Sequence, residues 1–156
     1  GLVRTENLET LPYRKDRLVL VVPKGHALDG EMQLAFSDTL DLDYVGLHES
    51  SAIHAFLRQA SDHLHKPIKQ RIQVGNFETA CRMIESGVGV GVLPESAASR
   101  HAAVMNIAIV PLSDAWSVRD MQICMRSLDA LPSFAKELVQ MLVIDAAGTS
   151  DTGELL

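Results

Sequence analysis

Aromatic residues are scarce, at 4% of 156 residues, and cysteine occurs only twice. A core must therefore be built from Leu, Val, Ile, Ala and Met. The 47% of hydrophobic residues allows this, and 22% of charged residues fits a folded chain rather than a disordered one. Basic charge is also short: 14 Lys and Arg stand against 20 Asp and Glu, for a net charge of −6. That balance lacks the diffuse basic footprint that neutralises phosphates, so binding DNA by charge alone is excluded. Long apolar runs are missing too. The longest, Val88 to Leu93, is broken by glycine and falls far short of a membrane span, so no membrane partner is expected. The amino end, GLVRTENLET, has no basic segment, apolar core and cleavage site in series, and does not begin with Met. It is expected to continue a longer chain rather than to be a signal peptide. Cys81 and Cys124 lie on apolar patterns outside any CxxC pair. They are expected to be two buried free thiols of a cytoplasmic protein.

Catalytic and metal-binding patterns are equally thin. There is no HExxH, and His63 and His65 alternate near a helix end so that their rings diverge. His48 and His54 do not share a helical face cleanly. No G-x-S-x-G elbow occurs. Cys81 shares an apolar stripe with Phe77 and Ile84, as an inert core thiol would. Adjacency of His48, Glu49 and Ser50 in sequence does not make a proton relay. No catalytic residue, metal ligand or cofactor is therefore assigned, and the chain reads as non-enzymatic.

What is present is an alternation of strands and helices. DRLVLVV, from Asp16 to Val22, is a strand closed by Pro23 and the Gly25 turn. Glu31 to Asp41 has weak helical spacing, and Asp43 to Leu47 reads as a buried strand. Ser50 and Ser51 can cap a helix carrying Ile53, Phe56, Leu57, Ala60 and Leu64 on one face, ended by Pro67. Lys69 to Val74 alternates like a strand with one covered face. Asn76 can cap a second helix with Phe77, Ala80, Cys81 and Ile84 as its stripe. Val88 to Val92 reads as a strand, Glu95 to Ala102 as a short helix, and Ile107 to Val110 and Met121 to Met125 as further strands. A last helix starting near Pro132 or Ser133 is expected to bury Phe134, Leu138, Met141 and Leu142. Such alternation predicts an α/β fold with mainly parallel sheets.

The stretch SGVGVGVLP, Ser86 to Pro94, places glycine at every second position. A dinucleotide fingerprint runs strand, glycine turn, helix. Here the helix comes first and Gly87 stands where a helix ends in a left-handed residue. No P-loop lysine follows. Gly89 and Gly91 are expected to thin a strand so that a neighbour can approach. In its setting, NFETACRMIESGVGVGVLPESAA, the stretch resembles the helix–strand signature of the effector-binding domain of LysR-type transcriptional regulators. DRLVLVVPKGHAL resembles that family's strand ending in P-x-x-H-P-L, with Ala27 where proline is usual. MQICMR followed by LPSFAKELVQMLV is similar to its final strand and helix. Together these motifs cover roughly residues 12 to 143.

The resemblance implies a fold like type 2 periplasmic binding proteins: two α/β lobes joined by crossing strands, near Val22 to Gly25 and near Pro111 to Arg119, with a ligand between the lobes. It divides the chain into a partial first lobe with a crossing strand (1–24), a second lobe (25–115), a return to the first lobe (116–145) and a flexible tail (146–156). The first lobe's opening elements are missing, as is the amino-terminal helix-turn-helix through which DNA would be bound. The partners implied are a small-molecule effector, for which an organic acid is one candidate class, and further copies of the chain in a homo-oligomer. The alternative of the same fold class is a solute-binding protein of a transport system.

Ligands of open α/β sheets sit beyond the carboxyl ends of strands. Two such places are readable. One is His48-Glu49-Ser50-Ser51 after the strand ending at Leu47, and the other is Gly75-Asn76-Phe77-Glu78 after the strand ending at Val74. Helix N-termini there favour an anion, and the resemblance puts the effector against the same loops. The candidate ligand-binding residues are His48, Ser50, Ser51, Asn76 and Phe77. Capping alone also accounts for Ser50, Ser51 and Asn76, and core packing for Phe77. Glu49 and Glu78 would oppose an anionic ligand.

Overall fold

The computed structural model describes residues 2–5 and 7–150. Contacts divide the chain into two units, Gly1–Asp16 with Arg119–Leu156 and Arg17–Val118. The strands are β1 (Val3–Thr5), β2 (Leu8–Pro23), β3 (Asp43–Leu47), β4 (Lys69–Val74), β5 (Gly91–Pro94), β6 (Ile107–Pro111) and β7 (Val118–Met125). The helices are α1 (Ala52–His63), α2 (Phe77–Glu85), α3 (Glu95–Ala102) and α4 (Ser133–Ser150).

The Arg17–Val118 unit is built around the second half of β2, where Leu18, Val19, Leu20, Val21 and Val22 are all fully buried. Five consecutive β-branched or Leu residues suit a strand covered on both faces. β5 and β6 flank it, both antiparallel, with Leu20 opposite Val92 on one side and Val110 on the other. β3 pairs with β4 in parallel. It also joins the segment leading into β5 through the parallel bridge of Tyr44 with Val90. β3, β4, β5 and β6 therefore run one way and β2 runs against them. The expectation of parallel strands holds for those that follow a helix of this unit. β2 follows none of these helices, and its ladders with β1, β5 and β6 are antiparallel.

Three local expectations shift. The strand read as Val88 to Val92 is Gly91–Pro94, because Val88 still serves the helix before it. Gly87, at φ +81°, donates its N–H to Ile84 O at 2.9 Å, and Val88 donates to Met83 O at 3.1 Å. This is the paired closure of a Schellman C-terminus. In β4 only Val74 is buried, and Ile72 is exposed. β4 pairs with β3 alone and carries a bulge opposite Tyr44 and Val45. Residues 31–41 hold only a 3-10 turn, Phe36–Thr39. Phe36 and Thr39 are buried there, and the Phe36 ring meets Tyr44 and Trp116 edge-on, at 6.5 and 5.4 Å.

In the other unit, β1 and the start of β2 form a hairpin, and β7 pairs with β2. The buried Glu9 carboxylate accepts Leu128 N–H at 2.7 Å and pairs with Arg4 at 3.4 Å. α4 forms where expected but does not bury the expected face. Phe134, Leu138 and Met141 are exposed at 76, 55 and 65%, Leu142 is half-buried, and Val139 is the buried position. Among the described residues this unit holds β1, the first half of β2, β7 and no helix other than α4, too little surface to cover a wide apolar helix. The helix also runs to Ser150, into the stretch expected to be a loose tail. The remainder of that tail, 151–156, lies outside the described residues.

Candidate functional site

Leu47 and Val74 are register partners at the ends of the parallel strands β3 and β4, so the two loops that follow leave the same edge of the sheet. His48 N–H donates to Val74 O at 3.0 Å and ties the loops together. All five candidate residues, His48, Ser50, Ser51, Asn76 and Phe77, lie on these two loops or at the first helical position after them.

Their roles divide. Ser51 is the α1 cap: its hydroxyl accepts Ile53 N–H at 3.2 Å, and its carbonyl accepts Ala55 N–H at 3.2 Å. Asn76 caps α2, its side-chain oxygen accepting Thr79 N–H at 2.8 Å. Phe77 is half-buried against the core. Ser50 does not cap. Its N–H donates to His48 Nδ1 at 3.3 Å and its hydroxyl lies 3.0 Å from the same nitrogen. Because a backbone N–H can only donate, Nδ1 accepts, and a neutral His48 carries its proton on Nε2. The exposed imidazole thus presents an N–H donor at the strand edge. The first N–H groups of α1 and α2 point to that edge with no intrahelical acceptor, and both helix dipoles are positive there. Glu78 is drawn toward Arg82, 3.8 Å away on the same helix.

The glycine stretch supports this edge from behind. A Cβ on Gly89 would lie 2.5 Å from Asp43 O, and one on Gly91 would lie 3.0 Å from Val45 O and 3.1 Å from Ile84 Cδ1. Side chains at either position would push the chain off β3. Gly87 instead has open space and a left-handed φ. The glycines allow close backbone packing and a helix stop, and none of them forms a phosphate-binding turn.

Cys81 is fully buried, and burial pushes its thiol up to about 11, away from nucleophilic reactivity. Cys124 is exposed, contrary to the expectation of two buried thiols. It sits on β7, where the strand has one open face. Among the described residues no group of three or more His, Cys, Asp or Glu could hold a metal ion.

A groove of about 390 Å³ lies between α1 and the face of β3 and β4, and Glu49 of the first loop reaches its rim. None of the five candidate residues lines it. Sequence reading missed it because its walls combine a helix row with a bulged strand, and the bulge cannot be read from spacing.

The family described as LysR substrate binding domain matches residues 1–146. The chain belongs to that family. A curated relative, an uncharacterised HTH-type transcriptional regulator of Methanocaldococcus jannaschii, is 30% identical over 122 residues, covering 76% of this chain and 41% of its own length. The chain therefore spans less than half of that relative. The regulatory domain of CcmR from Synechocystis, solved in complex with 2-PG, superposes with a TM-score of 0.79 at 16% identity, covering 94% of this chain and 71% of that one. The effector-binding domain of QuiR, solved in complex with shikimate, gives a TM-score of 0.73 at 17% identity, covering 94% and 69%. The LysR-type resemblance and the type 2 periplasmic-binding-protein-like α/β fold both hold, and the match favours the regulatory reading over the transport one.

Proposed function

We propose that this LysR-family domain senses a small organic acid through the loops after β3 and β4 and acts as the effector-binding part of a DNA-binding transcriptional regulator. The observation that carries this reading is the joining of two helix N-termini at one sheet edge by the 3.0 Å hydrogen bond from His48 N to Val74 O. The Nε2–H of His48, the hydroxyl of Ser50 and the leading N–H groups of α1 and α2 offer donors and positive dipole ends to a carboxylate. Ser51 and Asn76 hold those helix ends in place by capping them, and Phe77 supplies an apolar flank. That solved relatives bind shikimate and 2-PG supports a small-molecule effector.

The domain performs no chemistry in this reading. An effector shifts the population of conformations by its differential affinity, and DNA is contacted by a helix-turn-helix elsewhere in the full regulator. The working state is a cytoplasmic homo-oligomer. Among the described residues no helix is long and apolar enough to cross a membrane. The exposed Phe134, Leu138 and Met141 stripe supports self-association. The domain boundaries follow the same reading: a second lobe at 25–115, with 1–24 and 116–145 belonging to the first.

The test is a screen of small organic acids by calorimetry, repeated on His48→Ala. A carboxylate that binds the parent and is weakened about tenfold or more by the substitution, equal to about 1.4 kcal/mol, supports the site. Binding that is indifferent to His48→Ala, with folding intact, refutes it.

A further inference from the structure

The groove between α1 and the β3–β4 face has walls of an unusual composition. His54, Arg58 and Asp62 line it from α1 at four-residue intervals, which stacks them along one side of the helix. Opposite them lie Gln70 and Gln73. Strict alternation would put residues 70 and 73 on opposite faces of a strand. The β4 register instead pairs Tyr44 with Gln70, Val45 with Ile72 and Gly46 with Gln73, so Arg71 is the extra residue and the two glutamines share the face of Tyr44 and Gly46. Gly46 makes the room: a Cβ there would lie 2.0 Å from Gln70 Nε2, so the carboxamide lies across the bare backbone of β3.

The side chains of Arg58, Asp62, Gln70 and Gln73 make no hydrogen bond or ion pair with another described residue. Two opposite charges and two carboxamides thus face one groove without using each other. Ile53 and Leu57, buried on the same helix, give the groove an apolar base.

We propose that this groove binds a free α-amino acid with an amide-bearing side chain, at a site that shares only Glu49 with the loops after β3 and β4. The guanidinium of Arg58 takes the α-carboxylate as a two-pronged donor. Asp62, one helical turn away, takes the α-ammonium. The carboxamides of Gln70 and Gln73, each both donor and acceptor, pair with the ligand amide, and Ile53 and Leu57 receive its methylenes. A zwitterion satisfies both charges at once, whereas a simple anion would face Asp62 and a simple cation would face Arg58. Glu49 and His54, at the amino-terminal end of α1, complete the polar rim. The volume of about 390 Å³ fits the range of small-molecule sites, roughly 300–1,000 Å³.

The test is titration of the isotopically labelled chain with L-glutamine into the millimolar range, followed by amide chemical shifts. Two truncated probes run beside it, 5-amino-5-oxopentanoate without the ammonium and 4-aminobutanamide without the carboxylate. The expected result is saturable shifts of α1 and β4 with L-glutamine and roughly tenfold or greater weakening with each truncated probe. Arg58→Gln and Asp62→Asn, both at exposed positions, should each remove the response while leaving the melting temperature in place. Gly46→Ala should do the same by displacing the Gln70 amide. Absence of saturable shifts with L-glutamine overturns the proposal. So does binding that survives both Arg58→Gln and Asp62→Asn, or shifts that map to the His48 and Asn76 loops instead.

Discussion

Gly89→Ala tests the central claim about the glycine stretch, that it exists to let two backbones meet. The added Cβ would stand 2.5 Å from Asp43 O and 3.0 Å from Asp43 C, both main-chain atoms that cannot rotate away. Restoring ordinary contact requires β3 and the β5 lead-in to separate by nearly an ångström. The hydrogen bonds beside the contact, Val90 N to Asp43 O at 2.9 Å and Val45 N to Val90 O at 2.8 Å, would then stretch past useful length. Overpacking costs about 1–3 kcal/mol, and two weakened backbone hydrogen bonds add about 1 kcal/mol each. The expected loss is about 3–5 kcal/mol. Gly87→Ala is the control, because its Cβ meets nothing within 4 Å and only the left-handed φ of +81° is penalised. That costs about 1–2 kcal/mol, partly offset by the reduced freedom of the unfolded chain. Denaturant titration read by the fluorescence of Trp116, the single tryptophan, measures both in the same unit. If Gly89→Ala lies within about 0.5 kcal/mol of the parent, the range of an ordinary surface change, or costs less than Gly87→Ala, the close-approach reasoning fails.

Ser51→Ala removes the cap on Ile53 N–H and should destabilise by about 1 kcal/mol in the same titration. His48→Ala, at an exposed ring, should leave the midpoint nearly unchanged, so the two substitutions separate architecture from recognition. With an aromatic disulfide reagent at mildly alkaline pH, Cys124 should react at once and Cys81 only on unfolding. Two equally fast thiols would contradict the burial of Cys81. Burial raises the Cys81 thiol from 9.0 to about 11, and burial likewise raises the Tyr44 phenol, opposed in part by its bond to Thr39. Above pH 9 the unfolded chain releases protons that the folded chain retains, so stability should fall as pH rises from 9 towards 11. A flat midpoint across that window would show that neither group is held as described.

How much of this was legible in the sequence depends on whether the deciding interaction is local. Helix starts were readable because a cap is a contact between near neighbours: Ser51 with Ile53 and Asn76 with Thr79. The stop at Gly87 was readable for the same reason, since a left-handed position favours glycine whatever surrounds it. The candidate loops were legible as a pair once β3 and β4 were taken as parallel neighbours, because that pairing alone sends both following loops to one edge. Ser50 was misread as a second cap because its partner, the His48 ring, is set by a rotamer rather than by spacing. The antiparallel run of β2 depends on where the chain comes from before it reaches the sheet, which periodicity does not encode. The exposed face of α4 was missed for the opposite reason: the stripe Phe134, Leu138, Met141 is a sound burial signal, but burial also requires a covering surface. The bulge at Arg71 is the extreme case. One inserted residue in the pairing with β3 turns Gln73 to the face of Gln70, and it leaves no mark in KQRIQV, which alternates as a regular strand would. Deleting Arg71 should remove the bulge yet leave Gln70 and Gln73 two residues apart, paired with Tyr44 and Gly46 on one face, so the response to L-glutamine should survive, as it should in Arg71→Ala, which keeps the bulge. Loss of binding in both variants would mean that the guanidinium, with its 3.2 Å bond to Val88 O, matters rather than the bulge it occupies.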